Sequence, residues 1–218
     1  MKKLAIFDFD GTLFDSIWDV ISCFNRALTI YGFPTLTREE YIPCLGGDID
    51  DITSRVLGEN NTPENLEKVK KTYLDFYNPS KKELTVPFDN ALEILEKLQE
   101  NGILLAINSN RLNYSLNEFV EKYFSDIDFV LIEGQDSSNP SKPDPYGVNR
   151  IIKKVGINKD DALYIGDSTT DIKTAQNAGI DCIVVKWGYG NQNDFENENI
   201  LGCIDEMSQI LDYFGLSE

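Results

Sequence analysis

The sequence predicts an α/β protein: a mainly parallel central sheet flanked by helices, interrupted after its first strand by an all-helical insert. Three observations predict it. The apolar runs Leu4-Ala5-Ile6-Phe7, Ile103 to Ile107, Asp128–Ile132, Ala162–Ile165 and Cys182–Val185 are short and nearly continuous, as in strands buried on both faces. From residue 89 onward these runs alternate with helical periodicity, the order that builds a parallel sheet covered by helices. Between residues 16 and 83 only helical spacing occurs.

Taken in order, the first strand ends at about Phe9. Apolar residues at Ile17, Val20, Ile21, Phe24, Ala27, Leu28 and Tyr31 then follow a helical period that Gly32 closes. Thr37-Arg38-Glu39-Glu40 is a capping box that opens a second helix, Gly46-Gly47 is a turn, and a further helix covers Ile49 to Leu57. Thr62-Pro63 supplies an N-cap with proline at the first helical position, and that helix runs to about Asn78. Asp89 caps a helix through Leu92, Leu95 and Leu98 that stops at Gly102. Helices Ser115–Tyr123, Tyr146–Val155 and Thr170–Ala178 separate the later strands, and Gly188 to Asn199 reads as a polar, Asn-rich loop. The expected division is a core of residues 1–15 and 84–218 and a helical cap of residues 16–83.

Composition narrows the chemistry. The chain has 218 residues and a net charge of −17, with no basic cluster to hold a nucleic-acid backbone. No apolar stretch reaches the 18 residues of a membrane span, and the N-terminal run lacks the pattern of a signal peptide, so a cytoplasmic protein is expected. The absence of histidine excludes Ser-His triads, phosphohistidine intermediates and His-ligated zinc. Cys23, Cys44, Cys182 and Cys203 are widely spaced and form no C-x-x-C, so they read as small buried apolar residues. An acidic chain that acts on an anion needs local cations: a metal ion or a few lysines.

Four features fall at or beyond strand ends, the rim where open α/β sheets bind ligands. They are Asp8-Phe9-Asp10-Gly11-Thr12, Ser109-Asn110-Arg111, Lys142-Pro143-Asp144-Pro145 and Gly166-Asp167-Ser168-Thr169-Thr170-Asp171. Each alone has a plain structural explanation: a helix cap for Ser109-Asn110, a solvated loop for Lys142, first-turn acids for Asp167 and Asp171. Gathered on one rim, they supply carboxylates, a hydroxyl, backbone N–H groups and a lysine, the parts needed to hold Mg²⁺ and a phosphate together.

In this order and spacing, Asp8-Phe9-Asp10-Gly11-Thr12-Leu13, Ser109, Lys142 and Gly166-Asp167…Asp171 resemble the haloacid dehalogenase (HAD) superfamily, most closely its phosphoglycolate phosphatase-like hydrolases with a small helical cap. The resemblance covers essentially the whole chain. It implies a Rossmann-like core and a Mg²⁺-dependent phosphatase that hydrolyses a small-molecule phosphomonoester through an aspartyl-phosphate. It further implies Asp8 as nucleophile and Asp10 as general acid and base. Mg²⁺ would be held by Asp8, the backbone carbonyl of Asp10, and Asp167. Ser109, Asn110 and Lys142 would bind phosphate, with Lys142 also offsetting charge in the reaction, and Asp171 would orient Lys142 or a metal-bound water.

Departures from the pattern separate subclasses. A second acid at Asp10 favours phosphoryl over halide or phosphonate chemistry. Val20 stands five residues after Asp15, where β-phosphoglucomutase-like members carry histidine, so a phosphosugar mutase is the alternative rather than the first reading. Asn108 replaces a branched apolar residue, to satisfy a local backbone group or to reach the pocket, and Arg111 reads as a rim charge. In the cap, Gly46-Gly47 resembles the loop that faces the site in related phosphatases. Arg55 is either a substrate-carboxylate ligand or a solvated helix residue. Lys186-Trp187-Gly188-Tyr189-Gly190 resembles the family's loop at the seam of core and cap, and Trp187 and Tyr189 fit equally as packing aromatics. A monomer is the default for so acidic a surface, with a dimer as the alternative.

Overall fold

The structure, a computed structural model, describes residues 1–136 and 138–216. In chain order the strands are β1 (Leu4–Phe7), β2 (Phe14–Asp15), β3 (Val86–Pro87), β4 (Leu104–Leu112), β5 (Phe129–Gln135), β6 (Ala162–Gly166), β7 (Asp181–Val185) and β8 (Gly202–Ile204). Six of them form one sheet in the order β5-β4-β1-β6-β7-β8, and every neighbouring pair is parallel. The chain separates into two compact units, one built from Met1–Phe14 with the chain from Pro87 onward, the other from Asp15–Val86.

Alternation along the strands feeds two cores, one on each face of the sheet. Ala5, Phe7, Leu105, Ile107, Leu163, Ile165, Ile183 and Val185 pack with Leu95 and Leu98 of helix Ala91–Glu100, Phe119 of helix Asn113–Tyr123, and Ile210 and Phe214 of the terminal 3₁₀ turns. Leu4, Ile6, Ala106, Ala162, Tyr164, Cys182 and Val184 face the other way, onto Val148 and Ile151 of helix Tyr146–Val155 and Ile172 and Ala175 of helix Thr169–Ala178. The central strands β1 and β6 are buried along their whole length, which is why they read as unbroken apolar runs.

The second unit is held by aromatic packing between helices Ile17–Ile30 and Pro63–Tyr77. Phe24 stacks on Tyr73 with ring centroids 3.8 Å apart, and Tyr73 stacks on Tyr77 at 5.2 Å. Asn25 reaches past its own helix to pin the following loop, donating to the Leu36 carbonyl (2.8 Å) and accepting from the Leu36 N–H (2.9 Å).

Several sequence expectations need correction. Helix Ala91–Glu100 is not capped by Asp89: its N-cap is Asn90, in the left-handed region (φ 65°) with no side-chain cap bond. The expected helix at Thr37 is only Arg38–Tyr41, because Pro43 cannot continue it and the chain tightens into a 3₁₀ turn, Ile42–Cys44. β4 does not end near Ile107. It continues to Leu112 across a register shift against β5. The polar loop after β7 contains a short helix, Gln192–Phe195, and leads to β8, which the sequence reading missed. No helix among the described residues is long and apolar enough to cross a membrane.

The aromatic stack is the test of the helical unit. Phe24→Ala leaves the Tyr73 face bare and is expected to cost about 3–5 kcal/mol. Urea denaturation followed by far-ultraviolet circular dichroism measures it, and a loss below about 1 kcal/mol would mean the stack is not what holds the two helices.

Candidate active site

Strand register brings the site residues together. Phe7 of β1 is level with Ile107 of β4 on one side and Ile165 of β6 on the other. The next residues along the three parallel strands are Asp8, Asn108 and Gly166, so the side chains of Asp8, Ser109 and Asp167 emerge on one rim. The Asp8 N–H still donates to the Ile165 carbonyl (2.9 Å), which fixes the start of the Asp8 loop to the sheet.

Asp8, Asp167 and Asp171 are buried and present carboxylate oxygens within 4.8 Å of one another. Lys142 is the cation paired with two of them. Its Nζ lies 2.7 Å from Asp8 Oδ1 and 2.7 Å from Asp171 Oδ1, with the side chain only 5 % exposed. Asp8 Oδ1 also accepts from the Phe9 N–H (2.7 Å). Asp171 is saturated from its other side: Oδ2 accepts from the N–H groups of Asp167 (3.1 Å) and Ser168 (3.2 Å) and from Ser168 Oγ (3.1 Å). Asp167 Oδ2 accepts from the Tyr189 N–H (2.6 Å).

The charges do not balance. Three buried carboxylates face one ammonium, and the protonation equilibria record the excess. Burial, reinforced by the Asp171 charge and only partly offset by Lys142, raises the Asp8 carboxyl from 3.8 to about 7. Burial and the neighbouring Asp171 and Asp8 charges push Asp167 well above the usual carboxylate range. Asp171 moves the other way: burial opposes its charge, but Lys142 and the Ser168 and Asp167 donors outweigh burial and lower it. For Lys142, burial disfavours the ammonium and the two carboxylates more than restore it, holding it well above its ordinary value. A divalent cation beside Asp8 and Asp167 would remove the excess negative charge, and hard carboxylate oxygens are the donors such a cation prefers. The donor set therefore fits Mg²⁺.

Glycines set the close approaches. Gly11 has φ +82°, and a Cβ there would overlap the Asp167 carboxylate. A Cβ on Gly188 would meet the Gly11 carbonyl and Asp167, and one on Gly190 the Asp167 carbonyl. The loop after β7 thus lies directly against the Asp8 and Asp167 loops, where Trp187 Nε1 donates to the Thr12 carbonyl (3.1 Å). Trp187 and Tyr189 brace the acid loops, Trp187 through its indole and Tyr189 through its backbone.

The second motif is arranged differently from its sequence reading. Ser109 Oγ accepts from the Arg111 N–H (3.1 Å). The Asn110 side chain brackets the backbone of Lys142, with Oδ1 accepting from its N–H (2.7 Å) and Nδ2 donating to its carbonyl (3.1 Å). Asn108 turns beneath the rim to Tyr164, whose hydroxyl donates to the Asn108 carbonyl (3.0 Å). Arg111 is not a rim charge. Its side chain is 6 % exposed and grips Asp10 with two bonds, Nε to Oδ2 at 3.1 Å and Nη2 to Oδ1 at 2.5 Å. Sequence spacing gave no sign of this pair, because 101 residues separate the partners and only the sheet joins them.

Gly46, Gly47 and Arg55 lie in the helical unit. Gly46 and Gly47 both have positive φ, 92° and 81°, and a Cβ on Gly47 would overlap Asp51. Arg55 is an exposed residue of helix Ile49–Leu57. It ties down the glycine loop, donating from Nε to the Cys44 carbonyl (2.9 Å) and from Nη2 to the Gly46 carbonyl.

The raised Asp8 carboxyl has a consequence for metal-free protein. The folded state holds that proton above the pH at which the unfolded chain releases it, so the stability it contributes is present below about pH 4 and lost as pH rises through about 7. Asp8→Asn removes this dependence. In EDTA, the unfolding free energy of the variant relative to wild type is expected to rise between pH 4 and pH 7 by up to a few kcal/mol. A difference flat with pH, measured by urea denaturation, would contradict the charge balance described here.

Comparison with known proteins gives the family. The family of haloacid dehalogenase-like hydrolases matches residues 5–185. The phosphoglycolate phosphatase of Vibrio parahaemolyticus is 28 % identical, over 99 % of this chain and 97 % of its own length. That of Psychrobacter arcticus is 30 % identical, over 97 % and 95 %. A haloacid dehalogenase-like hydrolase structure from Bacteroides fragilis superposes with a TM-score of 0.87 at 26 % identity, covering 96 % of this chain and 100 % of that one. A haloacid dehalogenase-like protein from Streptococcus pneumoniae shares the fold at a TM-score of 0.86 and 20 % identity, covering 98 % of each chain. With its strand order, its rim acids and a family match over most of its length, the chain belongs to the haloacid dehalogenase-like hydrolases.

Proposed function

We propose that the chain is a Mg²⁺-dependent phosphatase that hydrolyses a small-molecule phosphomonoester through an aspartyl-phosphate, with phosphoglycolate-like esters as the substrate class. The observation that carries this reading is the buried, charge-deficient group of Asp8, Asp167, Asp171 and Lys142 at the end of the central strand. The names of the relatives support the substrate class.

Asp8 attacks phosphorus with a carboxylate oxygen, and the bond from phosphorus to the ester oxygen breaks. Asp10 gives a proton to the departing alkoxide, which leaves as an alcohol. Water then attacks the phosphorus of the aspartyl-phosphate and passes a proton to Asp10. The bond to Asp8 breaks, and phosphate leaves with Asp8 restored as a carboxylate and Asp10 as the carboxylic acid that began the cycle. Ser109 Oγ, whose lone pair is engaged by the Arg111 N–H, can donate its proton to a phosphate oxygen, as can the backbone N–H of Asn110. Lys142 offsets the repulsion between Asp8 and an anionic phosphoryl group, and Asp171 and Asn110 hold it there by its ammonium and its backbone.

Mg²⁺ would be held by the Asp8 and Asp167 carboxylates and the backbone carbonyl of Asp10. Its contribution is positive charge at the transferring phosphoryl group. Asp171 is a poor ligand, because Lys142, Ser168 and the Asp167 N–H occupy its oxygens. Val20 leaves no histidine in the helical unit for mutase chemistry, so hydrolysis is the reading taken.

Phosphate release from alkyl and aryl phosphates is expected with Mg²⁺ and absent with EDTA. Asp8→Asn should lower turnover by about 10⁴-fold or more. Asp10→Asn should slow alkyl esters by roughly 10²–10⁴-fold and activated aryl esters much less, because a good leaving group needs no proton. Activity in EDTA, or full activity of Asp8→Asn, would overturn the proposal.

A further inference from the structure

The Arg111–Asp10 pair has no place in the steps above, and it obstructs one of them. Both oxygens of Asp10 accept from the guanidinium, so a carboxyl that turns to serve the leaving oxygen must give up part of that fork. The fork itself is fixed. The guanidinium carbon lies 5.1 Å from the Phe9 ring centroid and 5.3 Å from that of Phe119, and Nη1 reaches Ser115 Oγ at 3.4 Å. Its backbone is fixed too, through the bond from its N–H to Ser109 Oγ. Asp10 is the looser member, with its side chain 31 % exposed against 6 % for Arg111. An arginine stacked on aromatic faces and buried to this degree binds a carboxylate in two-pronged fashion, and its site is costly to leave without an anion.

We propose that Arg111 is a specificity-determining residue that selects phosphate esters whose alcohol part carries a second anionic group, a carboxylate above all. The Asp10 carboxylate holds the fork in the absence of substrate, and the substrate's own carboxylate takes the fork and releases Asp10 to the leaving oxygen. Binding of the correct ester and readiness of the acid are then one event. A neutral ester has nothing to exchange, so it meets an enzyme whose acid remains engaged. This rests on the phosphatase reading and adds to it the reason why one ester is chosen over another. The distances suit a short substrate: a group that contacts Asp10 sits beside the leaving oxygen, so the carboxylate belongs within two or three bonds of that oxygen.

The test compares two esters of equal length, ethyl phosphate and its analogue with the terminal methyl replaced by a carboxylate. In wild type with Mg²⁺, kcat/KM is expected to favour the carboxylated ester by about tenfold to a hundredfold, the range of a charge-assisted pair. Arg111→Gln is expected to bring the ratio close to one. Arg111→Lys, which keeps the charge and loses the fork, is expected to fall between. Circular dichroism and p-nitrophenyl phosphate turnover report whether each variant is folded. A wild-type ratio near one overturns the proposal without recourse to any variant, and so does a ratio that survives in folded Arg111→Gln. Loss of all Mg²⁺-dependent release in wild type would instead sink the phosphatase reading on which the selection rests, and the selection with it.

Discussion

The site depends on burying more negative charge than its own lysine can balance. Asp8, Asp167 and Asp171 crowd within a few ångströms around Lys142, and the sheet rim excludes the water that would screen them. Isolated buried carboxylates are expensive, and a pair of them next to one ammonium is stable only if protons or a cation supply the rest. The raised Asp8 and Asp167 carboxyls show protons doing so in the metal-free protein. Buried carboxyls perturbed in this way more often mark a functional than a structural cluster.

Much of the surrounding structure can be understood as support for that group. Asp171 ties the first turn of helix Thr169–Ala178 to the preceding loop and to Lys142. Asn110 grips the Lys142 backbone from the adjacent strand end, 32 residues away in sequence. Glycines at 11, 188 and 190 let three loops meet where any side chain would overlap Asp167 or its neighbours. Lys142 is therefore held by its ammonium, its N–H and its carbonyl together, which fixes its charge beside Asp8.

The fold was legible in the sequence because its strands are buried on both faces and its helices are not. β1 and β6 announce themselves as unbroken apolar runs, and Gly32 and Gly102 close helices as helix-stop residues should. β8 escaped notice because three residues in a polar stretch carry too little apolar signal; β7 alone recruits them as an edge. That Asp8, Asp167 and Asp171 come together was legible because Asp8 and Asp167 follow the ends of adjacent strands and Asp171 lies one helical turn beyond Asp167. What spacing could not show was partnership between distant segments of the core, Arg111 with Asp10 and Asn110 with Lys142, or the bond from Arg55 to the carbonyl of Cys44 within the helical unit. Long polar side chains choose partners by three-dimensional proximity, and residue type alone made the buried Arg111 look like a surface charge.

The central proposal is that Asp8 receives the phosphoryl group. The most direct measurement is a rapid acid quench of wild-type protein mixed with a ³²P-labelled phosphomonoester and Mg²⁺, followed by peptide mapping. Label on the peptide that contains Asp8, lost on treatment with base and absent in Asp8→Asn, is the predicted result. Continuing phosphate release with no label on that peptide, under conditions that trap intermediates, would contradict it.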